Sequence, residues 1–217
     1  MSGAVVRQVG GYVLAGGKSS RMGTDKALVE MAGKPLIAWA VERLRQICSD
    51  VHILSSNPTL EVYAPLVRDL HSDCGPIGGI EAALAHTSFE WNLLLPVDVP
   101  FAPAEFLRDW VERVTGQANV HAAYFDLDGK PQPSLLLIRR ETLPSIRASI
   151  ASERYKLVPA ITAATEGMLW VETLGAAVAE QWFVNLNTPD DLEEARRRAE
   201  VLERSPHGRS RVVHHKS

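Results

Sequence analysis

"GYVLAGGKSSRMGTDKALV", residues 11–29, sets an apolar run against two adjacent glycines and then places three cations, Lys18, Arg21 and Lys26, within ten residues. Tyr12–Ala15 reads as a buried strand, and Gly16-Gly17 as the start of the loop that ends it. Two standard phosphate cradles can be tested on the spacing, and both fail. A Walker loop needs four residues between its first glycine and the Gly-Lys-Ser, whereas Gly11 to Gly17-Lys18-Ser19 leaves five; the G-x-G-x-x-G fingerprint is absent too. What remains is a strand followed by Gly16-Gly17, Ser19, Ser20, Arg21, Gly23 and Lys26. Glycines let backbone N–H groups close on phosphate oxygens because no Cβ stands in the way. Arg21 and Lys26 can bring formal charge to the same oxygens. The alternative is a tight turn with a solvated cationic face, which Gly-Gly alone would favour. Strand, hydroxyls and cations together favour the phosphate.

Outward from this loop, short β runs alternate with helical periodicity. Pro35 marks a helix N1 position, and Ile37, Ala40, Val41, Leu44 and Ile47 repeat at helical spacing. Val51–Leu54 reads as a strand, Asn57-Pro58 as a turn and Leu66–Leu70 as a weaker strand. "CGPIGG" (74–79) breaks the chain before a helix of small residues over Ile77–Ala85. "WNLLLPVD" (91–98) is the clearest buried strand; it ends at Asp98 and precedes a helix over 103–114. Two β runs flank a turn at Asp128-Gly129, which predicts an antiparallel excursion from a parallel core. Helices are expected over 141–150 and 154–163, then a β pair near Leu169–Thr173 and Trp182–Leu186. Thr188 as N-cap, Pro189 at N1, and Asp190 and Asp191 in the first turn begin the last helix. The alternation predicts an α/β class with a doubly wound, mostly parallel sheet, in which ligands bind at the carboxyl ends of strands.

Composition sets the limits. The chain has 217 residues, 46% of them hydrophobic, and a net charge of −3. That is one ordinary domain, expected over 1–204, able to bury roughly 70% of its unfolded surface. The small, mixed charge argues against nucleic-acid and membrane-surface partners, so any anion site is local. Only Cys48 and Cys74 occur, which fits a reducing cytoplasm. No signal peptide and no run long enough to span a bilayer is visible. The basic tail after Arg204, residues 205–217, lacks periodicity and reads as a disordered end.

With these segments in hand, the first loop resembles the signature L-A-G-G-x-S-x-R-M-G-x-D-K of nucleotidyltransferases, and in particular of the molybdenum cofactor guanylyltransferase family. The likeness continues through "GPIGGIEAAL" (75–84), "LLLPVDVPF" (93–101), "DGKPQPSLLLIRR" (128–140) and "VNLNTPDDL" (184–192). The resemblance implies a Rossmann-like three-layer nucleotidyltransferase fold with a mostly parallel mixed sheet. It also implies a reaction in which the terminal phosphate of molybdopterin attacks the α-phosphorus of GTP and pyrophosphate leaves. Mg²⁺ would be the cofactor, with Asp98, at a strand's carboxyl end, as its ligand. An ordinary N-cap aspartate is the other reading of Asp98. Lys26 and Arg21 would serve the triphosphate, and Asp25 would only orient Lys26 by charge pairing.

By the same resemblance the nucleotide lies against Leu14, Ala15, Gly16 and Gly17, near Asp69. Gly75, Gly78 and Gly79 would allow close backbone approach to guanine. Relatives have asparagine near the end of the second strand, where this chain reads Ser55-Ser56-Asn57. Asn185 and Asn187, two apart and so on one side of a strand, would face the pterin, with Arg154 and Lys156 as weaker contributors. Implied partners are GTP, molybdopterin or its molybdenum form, and transient contacts with cofactor-biosynthesis proteins or molybdoenzyme chaperones. Rival readings are a cytidylyl or sugar-phosphate nucleotidyltransferase of the same fold and a non-catalytic nucleotide-binding relative. "LAGG" and "GPIGG" favour guanine, and Lys26 with Asp98 favours catalysis.

Overall fold

Apolar runs with helices between them become strands stacked side by side when each crossover returns the chain in the same direction. The computed structural model describes residues 9–16, 25–175, 182, 183 and 197. Strand β1 (Val9–Leu14) leads to a 3-10 turn over Lys26–Leu28, a hairpin of β2 (Glu30–Met31) and β3 (Lys34–Pro35), and helix α1 (Leu36–Arg45). Strand β4 (Asp50–Leu54), a second 3-10 turn (Pro58–Val62), β5 (Leu66–Val67), α2 (Pro76–His86), β6 (Trp91–Pro96) and α3 (Ala104–Thr115) follow. The chain continues through β7 (Ala122–Leu127), β8 (Lys130–Arg139), α4 (Leu143–Ala151), α5 (Leu157–Thr165) and β9 (Leu169–Leu174).

These build a seven-stranded sheet in the order β5-β4-β1-β6-β8-β7-β9. Strands β5, β4, β1 and β6 pair in parallel; β8 runs antiparallel to both β6 and β7, and β7 pairs in parallel with β9. Alternate side chains point to opposite faces. Val13, Ile53, Leu93 and Leu95 pack with Ile37 and Leu44 of α1 and Leu107 and Trp110 of α3. Tyr12, Leu54, Leu94 and Leu136 pack with Ile77, Ile80 and Leu84 of α2, Ile146 of α4 and Ile161 of α5. Covering both faces is what makes "LLL" at 93–95 buried throughout, as in central parallel strands. The sheet is therefore mixed, mostly parallel, and sandwiched between two helical layers.

Several local expectations shift. Pro35 is the residue before the helix, in extended conformation, and Leu36 opens α1. The weaker strand shrinks to Leu66–Val67, because Leu70 is exposed and no apolar face holds the pleat further. Asp98 lies beyond β6, in the turn after Pro96. The short hairpin was not anticipated; its turn uses Ala32 and Gly33, both at positive φ (50° and 71°), as a two-residue primed turn requires.

The strand expected from Trp182 is corrected, since Trp182 is helical. Its ring lies 4.6 Å from that of Phe106, and Phe183 lies 5.5 Å from Phe125. Both side chains bury in the same core, which the alternation of a strand would forbid. Residues 184–186, the helix start at Thr188–Asp191 and the tail 205–217 lie outside the described residues.

Candidate active site

Strands β1 and β6 are neighbours, yet the chain leaves β1 toward α1 and β4 on one side and leaves β6 toward α3 and β7 on the other. Such diverging connections open a crevice at the carboxyl ends of the two strands. Each strand's following loop delivers one charged side chain there. Lys26 Nζ donates to Asp98 Oδ2 at 2.9 Å, and the two side chains are 20% and 25% exposed. The pair joins residues 72 apart in sequence.

Both partners are braced from behind. Lys26 opens the 3-10 turn that Asp25 caps: Asp25 Oδ1 accepts the Ala27 N–H at 3.0 Å, and Oδ2 accepts from Asn57 Nδ2 at 2.5 Å. Asn57 in turn caps its own turn by accepting the Thr59 N–H at 3.0 Å. Asp25 thus acts on the loop's backbone, and Asn57 ties that loop to the end of β4. On the other side, Val97 N–H donates to the Leu14 carbonyl at 3.1 Å and so prolongs the β1–β6 ladder to the residue before Asp98. Arg43 reaches across from α1, donating to the Pro100 carbonyl at 2.8 Å and to the Ala102 carbonyl. Burial lowers the pKa of this guanidinium from its ordinary value, with Glu42 opposing the shift.

A second group forms beside the crevice. A Cβ on Gly79 would lie 3.1 Å from Leu14 Cδ2 and 3.9 Å from Asp69 Oδ1, so Gly79, Leu14 and Asp69 meet at one point. Gly75, before α2, has φ +65° and ψ −154° with open space around it; conformation, rather than crowding, requires glycine there. Leu14's carbonyl and Ala15's amide, which donates to Leu54 at 3.3 Å, both serve the sheet. Gly16 follows directly, with room for a Cβ 3.5 Å from the Leu54 carbonyl. Asp69 is exposed as a residue, but its carboxyl rests over α2. Partial desolvation, with the charge of Glu81 second, raises its pKa from the ordinary aspartate value.

Residues 11–165 match the family model described as MobA-like NTP transferase domain. The chain belongs to this family. It is 34% identical over 191 residues to a molybdenum cofactor guanylyltransferase of Serratia proteamaculans, covering 85% of this chain and 92% of that one. A molybdenum cofactor guanylyltransferase of Vibrio atlanticus is 33% identical over 198 residues, covering 86% and 95%. Among solved structures, molybdopterin-guanine dinucleotide biosynthesis protein A from Archaeoglobus fulgidus has the same fold, with a TM-score of 0.70 at 24% identity over 88% of this chain and 99% of that one.

For a MobA-like nucleotidyltransferase, the described residues bring together Lys26 with Asp98, and Leu14 with Gly79 and Asp69. Gly17, Arg21, Asn185 and Asn187 lie outside them. Arg154 and Lys156 are exposed in the turn between α4 and α5. Among the described residues no group of three or more His, Cys, Asp or Glu could hold a metal. No described helix is long and apolar enough to cross a membrane. Arg43 escaped the sequence reading, and Asn57 was read only as a turn residue: a helical arginine on a polar face carries no mark of the carbonyls it will meet 57 and 59 residues later.

Proposed function

We propose that this chain transfers the GMP moiety of GTP to the terminal phosphate of molybdopterin in a Mg²⁺-dependent reaction, yielding the guanine dinucleotide cofactor and pyrophosphate. The Lys26–Asp98 pair at the β1/β6 crevice carries the reading, in a chain whose relatives bear the name molybdenum cofactor guanylyltransferase.

The chemical obstacle is the approach of one polyanion to another. Unit charges ~4 Å apart repel by about 1 kcal/mol in water and about 4 at an effective dielectric near 20. Lys26, a fifth exposed and fixed at the base by the Asp25 cap, presents an ammonium to the triphosphate. Arg21 joins it from the same loop. Asp98 fits a Mg²⁺ site, since this ion takes one or two carboxylates and completes its shell with phosphates and water. When bound, the ion neutralises phosphate charge and polarises the phosphoryl group. Asp69, Gly75, Gly79 and the backbone of Leu14–Gly17 hold the nucleoside, while Asn185 and Asn187 hold the acceptor.

An oxygen of the molybdopterin phosphate bonds to the α-phosphorus as the bond from that phosphorus to the bridging oxygen breaks. The displaced electron pair leaves with pyrophosphate. A phosphate monoester is already largely ionised at neutral pH, so no side chain need remove a proton. Alignment and charge stabilisation do the catalysis. We place the reaction in the cytoplasm, between the proteins that supply molybdopterin and those that accept the finished cofactor.

Calorimetric titration with GTP, CTP, UTP and ATP, each with and without Mg²⁺, tests the reading. Selective, metal-strengthened binding of GTP, followed by pyrophosphate release on adding molybdopterin, is expected. Preference for CTP overturns the substrate, and binding of none overturns the activity.

A further inference from the structure

Glu81, in α2, is only 1% exposed and carries two partners from other segments. His71 Nδ1, from the β5–α2 loop, lies 2.7 Å from its Oε2, and Arg147 Nε, from α4, donates to its Oε1 at 3.1 Å. A buried carboxylate needs such partners, because desolvation of an isolated charge is costly. The three residues lie outside the Lys26–Asp98 crevice.

Their placement points to the loop. Gly78 precedes Glu81 by three residues, so both lie on one face of α2. A Cβ at Gly78 would lie 3.3 Å from Cys74 Cβ, 3.5 Å from the His71 carbonyl and 3.6 Å from Asp69 Oδ2. The loop therefore lies flat on the helix, in the slot that Gly78 leaves. Gly78 sets how closely the loop approaches, and Glu81, one turn further on, sets where it stops along the helix axis. Asp69 stands two residues before His71, close enough for Glu81's charge to act on its carboxyl.

We infer that Glu81, anchored by Arg147, is a positioning residue for nucleotide recognition: through His71 it holds the β5–α2 loop in the register that presents Asp69 to the nucleoside of GTP. This rests on the guanylyl-transfer reading and adds residues that contact no part of the substrate. Without the tether the loop can slide on α2, and loss of alignment then weakens recognition of the nucleoside while the triphosphate contacts persist.

The test uses calorimetric titration with Mg²⁺ and either GTP or inorganic triphosphate, which lacks the nucleoside. His71→Ala changes a side chain that is 56% exposed, so it should leave the fold intact. It is expected to weaken GTP about tenfold, the scale of one charge-assisted hydrogen bond, and to leave inorganic triphosphate unchanged. His71→Gln, which keeps a donor, should recover part of the loss, and Glu81→Ala should match His71→Ala for GTP. Adding Asp69→Ala to His71→Ala should cost little beyond Asp69→Ala alone, because both act through one carboxylate. Wild-type GTP affinity in His71→Ala, equal losses for both ligands, or additive losses in the double variant would overturn the inference alone. A wild-type protein that takes inorganic triphosphate but shows no preference for GTP overturns the guanylyl reading and this inference with it.

Discussion

Two loops meet at the carboxyl edge of the sheet, and they are held by different means. The segment carrying Asp98 follows a strand buried on both faces, is prolonged by a ladder hydrogen bond from Val97, and has two carbonyls clasped by Arg43. The segment carrying Asp69 follows a two-residue edge strand, lies on a glycine slot, and is tied through His71 to one buried carboxylate. One loop is stiff by continuity with the core; the other is set by side-chain charge. Under the proposed function this would separate tasks: phosphoryl chemistry, assigned to the first loop, tolerates little displacement, whereas a nucleoside contact on the second could be adjusted without disturbing it.

The largest effect expected is at the stiff loop. Asp98→Asn removes charge and almost no volume, so turnover should fall by at least about a hundredfold while the urea unfolding midpoint stays near that of the wild type. Normal Mg²⁺-dependent pyrophosphate release in this variant would break the comparison at its base. Lys26→Ala comes next. About thirtyfold weaker GTP binding is expected, the loss of one charge-assisted phosphate contact, with guanosine binding unchanged; equal loss for both ligands would move Lys26 out of the phosphate role.

Arg43→Ala tests the clasp. Losing a charged donor to two carbonyls should destabilise the protein by about 2 kcal/mol and lower kcat more than it raises KM for GTP. Arg43→Lys should not restore kcat, since an ammonium lacks the planar fork that spans both acceptors. A fall confined to KM would place the clasp on the nucleoside side.

The smallest effect concerns the looser loop. Asp69 has a raised pKa in the folded state, so folding favours its proton. Asp69's contribution to stability therefore falls as pH rises from the ordinary aspartate pKa, about 3.9, through the raised value, and is level above it. Asp69→Asn removes that dependence and should unfold at slightly higher urea than the wild type at pH 7, relative to their difference at pH 3. The opposite sign would mean that Asp69 gains a favourable partner on folding.

How much of this was readable in advance follows the same division. That Lys26 and Asp98 come to the carboxyl edge was legible, because each lies in the loop after an apolar run, and strand ends are where an open α/β sheet exposes polar groups. The leucines at 93–95 announced a strand covered on both faces. The edge was harder: Leu66–Leu70 has apolar residues at both ends, but burial, which the sequence does not display, ends the strand at Val67. Asn57 read only as a turn residue in Ser55-Ser56-Asn57, and its partner, Asp25, lies 32 residues away in sequence. Glu81 sits in a run of small apolar residues, and its spacing from Gly78 acquires meaning only once the loop is seen lying across both. Side chains that act on other side chains leave no periodic trace.

One earlier feature bears on handling the protein. Trp182 and Phe183 place their rings against Phe106 and Phe125, of α3 and β7. A fragment cut after β9, at residue 175, would retain every strand among the described residues and yet strip this aromatic cover, exposing more of Phe106 and Phe125 to water. Such a fragment should bind hydrophobic dyes and self-associate. Any shortened version meant for crystallisation or fusion therefore has to carry the chain through Phe183.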